Sequence, residues 1–460
     1  NIASARSEFI VEVPGSWEPE FVRRNEAPEI EHSSEEGYKR FRFIRTSSAQ
    51  PRPEPMSVEN DEYLPHVQLL HRYGWDDTHR AYQEQLVTAR ASAPLITQRA
   101  RRLTQGLEDD MAKVRAIWDW ANSHVRARRF LDFSTAAAHI EASGEGNPIV
   151  LMHALLREVG IDSEIFKIRS ETEDKVETAI PSFSAYDFTA LRVTVGSEEL
   201  WLNPVGPNAK FNYLMAMVQG APALSIEPGA DLTRTTIPTW PADLEYRDVR
   251  FELELSPEGN LSGEVTETLR GQYAVSRRDY YDEQASKVNI RKYVERKVNY
   301  DFSGSELLDY TITGRDEPDA ELVLVYRFKR NGYARRDPSG ALIIQDRFDL
   351  MDLTRSYARL PRRTVPMLIN GQTYDNVHVV LNTPPGTTIS GPGGPDTLSY
   401  NSEFGEYNRT VERGDHTITI HHRLYVPIQR IYPANYESFT EWTGDVDRAT
   451  YGRFEVAKAP

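Results

Sequence analysis

The sequence predicts an α+β chain of several domains, and three observations carry that reading. Apolar residues recur at helical spacing between about residues 75 and 161, and short alternating runs follow. Alternation at period two dominates from residue 245 to the end. Two Pro-containing stretches, 47–61 and 235–244, separate these regimes. A chain of 460 residues has room for about three domains of roughly 100–200 residues. We therefore expect a partial N-terminal β domain plus linker over residues 1–70, helices packed on an antiparallel sheet over 71–235, and a β-sandwich-like domain over 240–460.

In the first region, "SEFIVEVPGSW" and "YKRFRFIRT" read as strands, with a charged stretch between them. Two strands make a marginal sheet, so the segment reads as the tail of a larger β domain. The polar, Pro-rich "SSAQPRPEPMSVEND" reads as a linker.

Four helices are expected next. "WDDTHRAYQEQLVTARA" offers Asp76 or Asp77 as N-cap. "APLITQRARRLTQGL" is the second. "DDMAKVRAIWDWANSHVRA" carries an apolar stripe of Met111, Val114, Ile117, Trp118 and Val125. "GEGNPIVLMHALLREVGI" is the fourth: Asn147 can cap it, Pro148 suits its first turn, and Gly160 suits a left-handed C-terminal position. The strands "DSEIFKIRS", "DFTALRVTV" and "EELWLNPV" follow, the last two joined by a turn at Gly196-Ser197. "TTIPTWPADL" reads as a linker.

Beyond it, "RFELELSPEGNLSGEVTETLRG" is a hairpin, and "AELVLVYRFKR", "NVHVVLNTPPG" and "DHTITIHHRLYV" are further strands. One helix, about residues 282–298, interrupts them.

Composition removes several function classes. The chain has no cysteine, which excludes disulfides, thiolate metal sites and a thiol nucleophile. A net charge of −15 with both signs interspersed argues against a nucleic-acid partner. No apolar run reaches the length of a transmembrane helix. No signal peptide is visible at the start, so the sequence reads as a processed or partial chain.

The helical region and its strands resemble a bacterial transglutaminase-like domain of the papain-like superfamily, and the flanks resemble the β-sandwich domains of unknown function that accompany it. The resemblance implies a Cys at a helix N-terminus, a His at the start of a strand and an Asp on the next strand. Laid onto this sequence, those positions are Gly146, Phe188 and Asn203. With the turn at Gly196-Ser197, Phe188 and Asn203 are two residues from direct opposition and share a face. The catalytic triad is degenerate at all three positions, and activity needs a positioned nucleophile and base.

Neighbouring residues do not repair it. Ser143 precedes the helix start by three residues. Asp187 should face away from the His position. His139 lies upstream of the turn, and His153 lies nearly two turns beyond it.

Other groups have ordinary readings. His66, His71, Asp76, Asp77 and His79 fit no metal spacing and read as a loop entering a helix. His421 and His422 fall on opposite strand faces, away from a joint metal with His416. Trp118 belongs to a core stripe, and "SGPGGPD" is a hairpin loop. No cofactor and no metal is expected.

The resulting expectation is a catalytically inactive transglutaminase-like protein with a protein or cell-envelope partner, periplasmic or extracellular by resemblance. One alternative is an active hydrolase or acyl transferase using other residues near Gly146. Another is a carbohydrate- or peptide-binding module built on the tyrosines of "RRDYYDE" and "RIYPANYESF".

Overall fold

Apolar alternation builds the first sheet from β1 (Ser4–Pro14), β3 (Ile30–Glu35) and β4 (Tyr38–Ser48), with β2 (Glu20–Arg24) between them in sequence. The strand order is β1-β4-β3, and Phe43 on β4 is buried beneath the rings of Phe9 and Phe21. The computed structural model describes residues 4–48, 54–70, 74–127, 133–173, 181, 183–204, 206–241, 244–283 and 286–458.

The segment expected to be a loop entering a helix holds a strand instead, β5 (His66–Leu70), which pairs with β2. Its partner lies far upstream, so local sequence gives no sign of the pairing. Before it, α1 (Asn60–Tyr63) interrupts the expected linker. That linker also docks on the C-terminal region. Glu54 accepts from Thr364 N at 2.9 Å, and Ser57 bridges to Met367.

Four helices were expected in the central region, and a fifth lies among them. They are α2 (Trp75–Ala89), α3 (Pro94–Thr104), α4 (Asp110–His124), α5 (Ala137–Ser143) and α6 (Pro148–Glu158). The N-cap of α2 is Gly74, not Asp76 or Asp77. Both Asp residues lie in the first turn, where they complement the helix dipole, and Asp77 accepts from Gly74 N at 3.1 Å. The short strands β6 (Arg126–Ala127) and β7 (Glu145–Gly146) pair in parallel across the start of α6.

An antiparallel sheet follows: β8 (Ser163–Ile168), β9 (Phe188–Val195), β10 (Glu198–Leu202), β11 (Pro222–Ser225) and β12 (Arg234–Thr236), in the order β10-β9-β8-β11-β12. The last two strands lie beyond the three expected, and β12 takes the start of the "TTIPTWPADL" linker. Strand alternation splits the residues between two cores. Ile165, Leu191, Val193, Leu200 and Leu202 pack with α3, α4 and α6 on one face. Phe166, Ala190, Trp201 and Leu214 form a second core on the other.

The C-terminal region contains β13 (Arg247–Leu255), β14 (Leu261–Leu269), β15 (Glu306–Thr313), β16 (Leu322–Arg330), β17 (Arg335–Arg336), β18 (Leu342–Asp346), β19 (Met367–Ile369), β20 (Thr373–Asn382), β21 (Thr387–Ser390), β22 (Thr397–Ser402), β23 (Gly405–Arg413), β24 (Thr417–Val426), β25 (Gln429–Ile431) and β26 (Gly452–Lys458). Eight strands form one sheet, β15-β16-β14-β13-β20-β24-β23-β22, and β17-β18-β26-β21 form another. Phe251, Val265, Val379 and Ile420 of the large sheet share a core with Ile344, Phe454 and Val456 of the small one.

The region is more helical than expected. The single helix over 282–298 is two, α7 (Gln272–Glu283) and α8 (Lys287–Asp301), the second capped by Ser286. Short α9 (Leu353–Tyr357) and long α10 (Tyr436–Thr450) add two more. Tyr436, Phe439, Trp442, Val446 and Ala449 form the buried stripe of α10.

Side chains connect the three regions. Arg430 on β25 clasps both carboxylate oxygens of Glu62 at 2.7 Å and donates to the carbonyl of Glu171 at 2.7 Å. Asn208 donates to Asp279 and Asp282 on α7, each at 2.8 Å.

Candidate functional site

The start of α6 is built as its sequence dictates. Asn147 Oδ1 accepts from Ile149 N at 3.1 Å, and Pro148 opens the first turn. Gly146 precedes the cap with φ of +145°, a conformation that side chains rarely adopt. A Cβ built there would lie 2.7 Å from Ile140 Cγ1, so the side chain of Ile140 occupies the space a nucleophile would need.

The turn is pinned from behind. Buried Glu141 accepts from Trp120 Nε1 at 3.1 Å and pairs with Arg99. Arg99 lies 3.9 Å over the Trp120 ring, which stacks on His124, and His124 Nε2 contacts Glu141 O at 2.9 Å. Trp118 is buried in the core as its stripe predicts. Ser143, the last residue of α5, exchanges 3.2 Å hydrogen bonds with the backbone of Glu145. No histidine among the described residues pairs with that hydroxyl, and His139 is exposed.

Phe188 opens β9 and Asn203 follows β10, in the register that the Gly196-Ser197 turn implies. Both line one cavity of about 140 Å³, whose lining also includes Gln272, Val275 and Asp279 of α7. Gly146 is not among its lining residues. Asn203 is 6% exposed, and its Oδ1 has no hydrogen-bond partner among the described residues. Burial lowers the pKa of Lys210 on the same wall. Asp187 is committed elsewhere, accepting from Ser170 N at 2.9 Å and Ser170 Oγ at 2.8 Å.

A Ser–His–Glu grouping that sequence reading missed lies on the helical side. Fully buried His153 has Nδ1 2.8 Å from Ser163 Oγ and Nε2 3.4 Å from Glu227. Its polarity is wrong for general-base catalysis. Arg90 lies 3.1 Å from Nε2 and can only donate, so Nδ1 carries the proton and points it at Ser163. Burial, then the charge of Arg90, lowers the His153 pKa to about 3. Arg90 also pairs with Glu227, which makes the group a neutralised structural contact.

The candidate metal residues do not converge. His66 turns to Leu64 O at 3.0 Å, His79 is buried within α2, and His71 lies outside the described residues. Among the described residues no three His, Asp or Glu side chains gather in a metal-binding arrangement. His421 and His422 face opposite sides of β24. His422 contacts the Tyr407 hydroxyl at 2.9 Å inside the core, while His421 stacks on His378 with centroids 4.0 Å apart. The tyrosines proposed for glycan stacking are divided. Tyr281 and Tyr436 are buried, which removes them from any exposed groove.

A second missed feature is a buried charge cluster beneath the eight-stranded sheet, where Arg247 meets Glu267, Asp349 and Asp375. Its signal was legible. In β13, β14 and β20 these charges fall on the same alternation as Val249, Val265 and Val377, the inward positions.

Among the described residues no helix is long and apolar enough to cross a membrane. Residues 342–454 match the family profile "Domain of Unknown Function with solved-structure structure (DUF3858)". No curated protein matches the chain. A solved structure bearing the name "putative protease", from Parabacteroides distasonis ATCC 8503, aligns with a TM-score of 0.59 at 12% identity, covering 98% of this chain and 72% of its own. A "putative cysteine protease" from Cytophaga hutchinsonii aligns with a TM-score of 0.22 at 14% identity, covering 44% of this chain and 72% of its own. The first likeness extends over nearly the whole chain, and it is one of fold.

Proposed function

We propose that this chain is a catalytically inactive transglutaminase-like protein that serves as a binding or structural component of an extracytoplasmic bacterial assembly. The observation that carries this reading is the pairing of Gly146 with Ile140: the helix start expected to hold a nucleophile has neither a side chain nor space for one. Shifting the register by one residue brings in Glu145 or Asn147, neither a thiol nor a hydroxyl. Phe188 and Asn203 supply no base.

The binding half of the proposal rests on the cavity beside Phe188 and Asn203. It combines a buried amide oxygen with no partner among the described residues, the Lys210 ammonium and an apolar wall, a mixture suited to fixing a small part of a partner. The tethered chain should capture a specific component from a cell-envelope extract, and untethered chain should compete it away. If nothing is captured competitively, the binding half of the proposal fails.

A further inference from the structure

Three neighbouring strands carry a charge at a position facing the core: Arg247 on β13, Glu267 on β14 and Asp375 on β20. Arg247 and Asp375 are direct register partners across the parallel β13–β20 pair. Helix α7 adds Arg277, α8 adds Lys297 and Asp301, and the segment after β18 adds Asp349. Arg247 Nε lies 2.9 Å from Glu267, and its Nη2 pairs with Asp349. Arg277 lies 2.9 Å from Glu267. Lys297 lies 3.1 Å from Asp301 and 2.9 Å from Asp349. Four carboxylates thus face three cations; burial raises the Asp301 pKa to about 7, so the full excess of one negative charge is present at pH 8, where Asp301 is ionised as well.

Asp375 is the member with the weakest pairing. It is 4% exposed, and its one ion pair among the described residues is to Arg247 Nη1 at 3.4 Å, the longest that Arg247 makes. Asp375 also stands on the wall of a cavity of about 640 Å³. A carboxylate buried this deeply calls for a further positive or donating partner. The nearby phenols are already committed: Tyr273 donates to Gln372 O at 3.1 Å and accepts from Tyr374 N at 2.8 Å, and the Tyr357 hydroxyl is 3.5 Å from Thr373 Oγ1. Their rings, with Met351 and Ile369, leave an aromatic and aliphatic wall.

We propose that this cavity binds a primary ammonium group on a short alkyl chain, with Asp375 as counter-ion and the tyrosine rings against the methylenes. An ammonium presents three donors and tolerates an aromatic surround. A divalent cation would require several converging oxygens, and Arg247 and Lys297 already occupy the neighbouring carboxylates. Arg355 and Arg359 line the exposed mouth together with Asp352, so charges of both signs face the far end of the ligand.

The test is calorimetric titration of the whole chain with pentylamine at pH 8, with pentan-1-ol and pentanoate as neutral and anionic controls. Pentylamine should bind and both controls should not. The Asp375→Asn variant should lose amine binding while keeping the parent's melting temperature or exceeding it. Burial holds the Asp375 pKa up at about 6, so amine affinity should fall about tenfold between pH 8 and pH 5 in the unaltered protein. That second measurement needs no variant to fold. Equal binding of amine and alcohol, retained binding in Asp375→Asn, or affinity unchanged between the two pH values would each overturn the assignment.

Discussion

The side chain of Ile140 stands where a Cβ on Gly146 would be, with its Cγ1 2.7 Å from that position. Ile140 belongs to α5, and its neighbour Glu141 is fixed by Arg99 and Trp120. The two residues therefore cannot separate without disturbing the packing against α6. A helix start that is correctly capped thus has its first turn crowded by Ile140.

Substitution at this pair should reveal the packing. Gly146→Cys should cost about 1–3 kcal/mol by overpacking a buried site at positive φ. Ile140→Ala should cost about 2–5 kcal/mol through the cavity it leaves. The double variant should lose clearly less than the sum, because the smaller side chain makes room for the larger. Urea unfolding of the four proteins measures the coupling. Strict additivity would mean that the two positions do not compete for space.

Arg430 should act as a tie between regions distant in sequence. Its guanidinium and the Glu62 carboxylate are both nearly inaccessible. Arg430→Ala leaves a buried carboxylate unpaired and should cost about 3–5 kcal/mol. Limited proteolysis should then cut near residues 62 and 171–173, where the lost hydrogen bonds were made. An unchanged cleavage pattern would mean that the tie is dispensable.

Burial raises the Asp375 pKa from 3.8 to about 6, against the opposing pull of Arg247. A raised value means that the folded chain holds the proton more tightly than the unfolded chain. Ionisation therefore lowers stability: the loss begins near pH 3.8 and is complete above about pH 6. Asp375→Asn should match the parent near pH 4 and exceed it by on the order of 1–3 kcal/mol at pH 7. Comparing the two proteins by urea unfolding across that range cancels the opposite contribution of neutral His153 and His422, whose stability is lost as pH falls below 6.5. A variant less stable than the parent at pH 7 would reverse the sign and refute the argument.

Local signals explain what could be read from the chain. Asn147, Pro148 and Gly160 mark both ends of α6, and the Gly196-Ser197 turn sets the β9–β10 register that brings Phe188 and Asn203 to one cavity. The features that escaped depend on distant partners. β5 becomes a strand because β2 pairs with it; the inward position of Asp375 shows in its strand's alternation, but its pairing with Arg247 depends on a strand distant in sequence. The division between α7 and α8 was visible in principle, since Ser286 is a standard N-cap, but the charged surroundings obscured it. The arrangement at His153 had no sequence signal, because Arg90, Ser163 and Glu227 come from three separate elements.

Turnover measures directly whether the proposed frame persists without catalysis. The purified chain should be incubated with a diverse peptide library and a labelled primary amine, and both peptide cleavage and amine incorporation followed by mass spectrometry. Neither product should rise above a heat-denatured control. Turnover that survives purification and disappears in Ser143→Ala or Ser163→Ala would contradict the proposed inactivity.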